Sequence, residues 1–243
     1  LTGPFGYMIG MVLALMLGSV LGWRSIFYIT GSLGILVAIL IFFGVRDVPR
    51  GRSEPEFDQI QELQTFKFEW KTVRELFKKR GLLLMYIQGF FGVFPWNVIT
   101  FWIFKYLETE RNYTADQQMM TMVPAILFLA AGYPIGGYLG DRLFKRTPRG
   151  RLIIATTGVI MGAIMLWLTL SVPADNLLLF GILFCLTGLF IPWAAPNGIS
   201  TVYDVTLPEV RSSALSVQYF IESSGAALSP LIAGLISDQT GSL

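Results

Sequence analysis

The sequence contains no histidine. That absence removes zinc proteases, Ser-His dyads, His-box oxygenases and His proton relays together, because each needs an imidazole as ligand or base. The single cysteine, Cys185, sits in an apolar run, so an internal disulfide is excluded. Charge is scarce as well: 14% of residues are Asp, Glu, Lys or Arg, against roughly 25% in soluble domains. With a net charge of only +2, no strong field points to a nucleic acid, and none is expected as a partner. Neither a metal nor a cofactor is expected. The chain opens with Leu rather than Met and reads as a piece of a longer protein.

What the chain has instead is apolar length. Hydrophobic residues make up 53% of it, and the mean hydropathy is +0.60. Crossing a hydrocarbon core of ~30 Å takes about 20 apolar residues in helix. Seven stretches meet that length: 1–22, 24–45, 82–105, 117–139, 151–172, 177–202 and 212–236. None shows the period-two alternation of an outer-membrane barrel strand. The expected fold class is all-α, a polytopic membrane protein with seven transmembrane helices.

Lys and Arg orient the spans, since they concentrate in cytoplasmic loops. Fifteen of the 18 fall near segments 46–81, 140–151 and 203–211, and Arg24, Lys105 and Arg111 lie on the other side. Those three segments are expected to be cytoplasmic, and so is the start of the chain, in a cell (plasma or inner) membrane. Within the longest, Phe66, Trp70, Val73 and Phe77 recur at helical spacing, with Lys67, Lys71, Arg74 and Lys78 on other faces. This pattern predicts a short amphipathic helix at the membrane interface.

An ionised side chain deep in a bilayer is costly, so it faces a cavity or a partner. Glu222 is the one acid well inside a span. It lies eleven residues past Arg211, about 16 Å along a helix. Gln218, Gly225 and Ser229 share its face, while Val217, Phe220, Ile221, Leu228 and Leu231 form the opposite one. Two readings fit Glu222: an interhelical hydrogen bond, or a cavity position that contacts solute or carries protons. Pro192 and Pro196 break the sixth span, and Trp193, Asn197, Thr201 and Asp204 recur along one of its faces. That face belongs either to a bendable, cavity-lining helix or to an ordinary kink with Asn197 satisfied by a neighbour. Gln88 and Asn97, nine residues apart, sit on opposite faces of a straight helix. Both line one cavity only if Pro95 bends or twists the span.

The segment from Gly137 to Arg146, GYLGDRLFKR, resembles the G-x-x-x-D-R-x-G-R-R loop of the major facilitator superfamily, with Phe144 in place of the usual Gly. Gly22-Trp23-Arg24 is similar to that family's turn between helices five and six, and Leu207-Pro208-Glu209-Val210-Arg211 to its entry into helix eleven. Gly3 to Gly10, Val45 to Gly51 and Leu235 to Asp238 look most like the spinster-like branch. The resemblance implies a secondary transporter working by alternating access rather than an enzyme. The spans would be equivalent to helices five to eleven of a twelve-helix fold. Residues 1–45 would close the first half, 46–81 would be the central loop, and 82–243 the second half without its final helix. A cytoplasmic gate would involve Gly137, Asp141, Arg142, Lys145, Arg146, Asp204, Glu209 and Arg211. Solute binding or proton coupling would fall to Glu222, Gln218, Asn197, Trp193, Gln88 and Asn97.

The expected partners are a small-molecule solute, the lipid bilayer and protons, with the protein acting as a monomer. No Lys or Arg stands inside a span, which favours a neutral, amphipathic (lipid-like) or cationic solute. A non-transporting, sensor-like protein of the same fold is the alternative. An intramembrane aspartyl protease is a remote one, because its two signatures would run in reverse order and Tyr138 stands where Gly is needed.

Overall fold

A computed structural model describes residues 21–45, 70–207 and 210–241, together with isolated positions before residue 21. Most of the first expected span, the segment 46–69, Pro208 and Glu209 lie outside the described residues. Among the described residues each helical span long enough to cross a membrane runs where an apolar stretch was expected. The order is α1 (Trp23–Gly44), α2 (Trp70–Lys78), α3 (Arg80–Thr109), α4 (Ala115–Phe144), α5 (Gly150–Ser171) and α6 (Leu177–Phe190), then a 3-10 turn (Ile191–Trp193), α7 (Ala194–Val205) and α8 (Arg211–Thr240). Among the described residues six spans are long and apolar enough to cross a membrane, with α6, the turn and α7 counted as one.

The chain divides into two units, residues 2–67 and the rest from residue 68. In the first, α1 follows Gly22, whose φ of 78° lies where a Cβ would clash with the backbone. This helix is apolar on all sides, and Phe42 and Phe43 are among its most exposed side chains. A helix of that kind suits a surrounding of lipid or other apolar helices.

In the second unit α3, α4 and α8 each have 30 residues, about 45 Å at 1.5 Å per residue. They outreach the expected spans at both ends because their flanks continue the helix beyond any ~30 Å apolar layer. Two tight groupings result: α3 lies along α8, while α4, α5 and α6 pack on one another with α7 beside them. Glycine makes both possible. A Cβ on Gly225 of α8 would stand 2.6 Å from the Phe90 carbonyl oxygen of α3, and one on Gly188 of α6 would stand 2.6 Å from the Ala125 carbonyl oxygen of α4. Small residues let helix backbones approach that closely.

The prolines act locally. Pro192 and Pro196 open the helix into the 3-10 turn, as expected of the broken sixth span. Pro230 removes the donor that would reach the Ala226 carbonyl, and the Ser229 hydroxyl donates to that oxygen instead, at 3.2 Å. At the start of α4, Thr114 and Gln117 form a reciprocal capping box, with bonds of 3.4 and 2.9 Å.

Within the described residues the expected amphipathic helix begins at Trp70, and Phe66 and Lys67 lie outside them. Leu76 is buried, packed with Leu82, Tyr86, Val202 and Ala214. Phe77 remains 40% exposed beside the Tyr86 ring. The reason is rotational: Leu76 and Phe77 are about 100° apart on the helix, and only one of them can face the bundle squarely.

Candidate functional site

A cavity of about 210 Å³ opens where the α3–α8 pair meets α4, the 3-10 turn and α7. Its polar lining is Gln88, Gln218 and Glu222, with Trp96, Tyr133 and Tyr219 supplying aromatic surface. Gln218 Nε2 donates to Glu222 Oε1 at 2.7 Å, one turn along α8. Two glycines of α3 make room for these long side chains. A Cβ on Gly89 would sit 2.9 Å from Glu222 Oε1, and one on Gly92 would sit 2.8 Å from Gln88 Nε2. Glu222 is the only charged residue in the lining. Gln218 Oε1 is buried with no hydrogen-bond partner among the described residues. The site therefore presents acceptor oxygens in a largely apolar wall, the composition of a pocket for a small organic molecule.

Of the six residues marked by sequence for this role, Gln88, Gln218 and Glu222 line the cavity and three do not. Asn97 turns its amide back to the Val93 carbonyl at 2.9 Å on its own helix. It lies on the far face from Gln88, as a helix carrying Pro95 without a large twist requires. Trp193 and Asn197 point away from the cavity into the α4–α5 packing. A Cβ on Gly136 would stand 2.6 Å from Trp193 Cα, and Trp193 also covers Gly158. Asn197 is 2% exposed and donates to the Gly136 carbonyl at 2.9 Å and the Trp193 carbonyl at 2.8 Å. The cavity side of the broken helix is instead Ala194, Ala195, Gly198 and Ile199.

A second constellation stands at the end of the bundle where α4 turns into α5. Arg151, in the first turn of α5, donates from Nε (3.0 Å) and Nη2 (2.8 Å) to Asp141 Oδ1, and from Nη1 to Asp204 Oδ2. Its guanidinium lies over the Phe144 ring, 4.3 Å from the centroid. One cation thus ties α4, α5 and α7 together. Arg151 was not among the residues marked for this network. Its sequence signal is weak, a cation at the head of an apolar run ten residues past Asp141. The marked cations Arg142, Lys145 and Arg146 are exposed, and Arg142 reaches the Tyr138 hydroxyl at 3.4 Å. Gly137 makes an ordinary contact with Pro196, whereas Gly136 and Gly140 take the close approach of α7. Arg211 donates to the Tyr203 carbonyl at 3.4 Å, beside Asp204. Glu209 lies outside the described residues.

At the opposite end of α4, Arg111 is buried, 6% exposed. It donates to the Thr169 and Val172 carbonyls at 3.3 and 2.8 Å and lies over the Phe180 ring at 4.1 Å. A cation on the last carbonyls of α5 is favoured by the helix dipole. Sequence marked it only as a cation at a span end.

The comparisons agree on one family. The family model for the Major Facilitator Superfamily matches residues 1–230. A probable sulfoacetate transporter of Cupriavidus necator is 24% identical over 91% of this chain and 53% of its own length. A probable L-galactonate transporter of Escherichia coli is 29% identical, covering 92% of this chain and 51% of its own. Protein spinster homolog 1 of Xenopus laevis is 27% identical over 96% and 46%. The chain spans about half the length of the curated relatives it matches.

Proposed function

Since this chain belongs to the Major Facilitator Superfamily, and is with it an integral membrane protein, we propose that the protein it represents is a secondary transporter of a small organic solute. The helices correspond, in this reading, to helices five to eleven of the twelve-helix fold. Residues 1–45 end the first half, 46–81 link the halves, and 82–243 form the second half short of its last helix. The observation that carries the proposal is the cavity in which Gln218 bonds the lone carboxylate Glu222. A polar hollow in the middle of apolar spans has no packing purpose, because filling it with apolar side chains would stabilise the fold more.

The mechanism follows from two features. The Asp141–Arg151–Asp204 network ties the cytoplasmic ends of α4, α5 and α7, and in alternating access it breaks when that end opens. Each bond on the exposed carboxylates is weak, which suits a contact made and broken once per cycle. Glu222 takes up the coupling proton. Relatives are named for sulfoacetate and L-galactonate, both of which are acids. An ionised Glu222 would repel an acid in the cavity, so such a solute enters together with a proton.

The test is reconstitution of the full-length protein in liposomes with an inward proton gradient. The solute panel contains sulfoacetate, L-galactonate, a neutral sugar and an amphipathic amine. Accumulation of one panel member that a protonophore abolishes is the expected result. No uptake of any of them, with the protein shown to be folded, would overturn the transporter reading.

A further inference from the structure

The helix α2 and the cations around it form a surface that the transport reading leaves unused. Leu76, 2% exposed, fixes α2 across the ends of α3, α7 and α8 by packing on Leu82, Tyr86, Val202 and Ala214. The Tyr86 hydroxyl donates to the Ala214 carbonyl at 3.3 Å and holds that seat together. Arg74 and Lys78 stand two residues either side of Leu76, about 160° from it around the helix. They project away from the bundle. Lys79 and Arg80 follow at the joint with α3. All four are exposed, and none has an ion-pair partner among the described residues. Glu75 is the only acid between residues 70 and 80.

The position matters as much as the charge. The helix α3 starts at Arg80, so these four cations lie within seven residues of the start of a helix long and apolar enough to cross a membrane. The α4–α5 turn brings exposed Arg142, Lys145, Arg146 and Arg149 to the same end. The two acids seen there, Asp141 and Asp204, are both engaged by Arg151. The half-exposed Phe77 ring adds an apolar group beside the basic face, the pairing found on helices that lie at the acyl boundary.

We propose that the outward face of α2, with Arg74, Lys78, Lys79 and Arg80, binds the headgroups of anionic phospholipids in the adjoining leaflet. A cluster of cations beside a span attracts such lipids over about one Debye length. Because the seat of α2 rests on α3 and α8, bound lipid steadies the helices that line the cavity.

The full-length protein, purified in a neutral detergent, is titrated with phosphatidylglycerol or phosphatidylcholine, and bound lipid is counted by native mass spectrometry. Wild type is expected to retain at least five-fold more phosphatidylglycerol, less so as salt is raised. The variant R74Q/K78Q/K79Q/R80Q loses that preference, while R142Q/K145Q/R146Q/R149Q keeps most of it. Equal retention of the two lipids by wild type, or a preference insensitive to salt, overturns the proposal even if the first variant fails to fold. So does a preference lost only in the second variant. Displacement of the lipid by millimolar soluble glycerol phosphate would mean a discrete phosphate pocket and would overturn the leaflet assignment as well.

Discussion

Asn197 occupies the space that a side chain at Gly140 would need: a Cβ built on Gly140 overlaps the Asn197 carboxamide. The glycine of α4 and the asparagine of α7 are therefore one packing unit. The asparagine's own bonds, to the Gly136 and Trp193 carbonyls, leave it no room to withdraw. Gly140→Ala is expected to destabilise the full-length protein by about 1–3 kcal/mol, the usual scale of overpacking. Thermal unfolding in detergent measures it. In the Asn197→Ala background the same substitution should cost far less, and equal costs in the two backgrounds would show that the residues are independent.

The ion-pair network gives a second expectation. Asp141→Asn and Arg151→Gln should each cut transport by the full-length protein at least ten-fold while leaving membrane insertion unchanged. Arg151→Lys should fall between wild type and Gln, because an ammonium cannot reproduce the three-pronged guanidinium contact. Wild-type rates in Asp141→Asn would reduce the loop to a topology signal.

Glu222→Gln separates coupling from structure. Gln keeps the shape and an acceptor for Gln218, so the fold should be retained. Accumulation against a gradient should be lost, with solute exchange preserved and the pH dependence flattened. Uphill transport at the wild-type level, with its pH dependence intact, would leave Glu222 as an interhelical hydrogen bond.

Arg111 is expected to matter for stability rather than transport. Its bonds to the Thr169 and Val172 carbonyls close the end of α5. Arg111→Gln should lower stability by roughly 1.5–3 kcal/mol, the scale of a hydrogen bond made by a charged group. Urea or thermal unfolding of the purified protein checks this, and a change below a few tenths would show that the carbonyls find other donors.

Topology is tested with single cysteines after Cys185 is replaced by Ala. Thr109 and Arg149 are exposed at opposite ends of the bundle. A cysteine at 149 should react only with reagents on the cytoplasmic side, and one at 109 only from outside. Labelling with the sides exchanged would reverse the whole layout.

The sequence by itself determined the six described spans, the fold class and the family. Each of these is a property of runs of 20 residues, or of short motifs in loops, and a bilayer forces such runs into helices because no water is there to satisfy the backbone. It also determined the polar stripe of α8, since Gln218 and Glu222 are one turn apart whatever surrounds them. Tertiary structure alone decided which side of each helix met the cavity. In the broken helix Trp193 and Asn197 went into the glycine-lined contact with α4 and α5, and Ala194, Ala195, Gly198 and Ile199 faced the space. Polarity in sequence cannot distinguish a buried amide bonded to a neighbour's carbonyl from one awaiting solute. The partner of Asp141 was likewise hidden. Nearby Arg142, Lys145 and Arg146 point into solvent, while Arg151, ten residues on, returns to the carboxylate because α5 packs back along α4. Proximity in space, set by the turn between two helices, outweighed proximity along the chain.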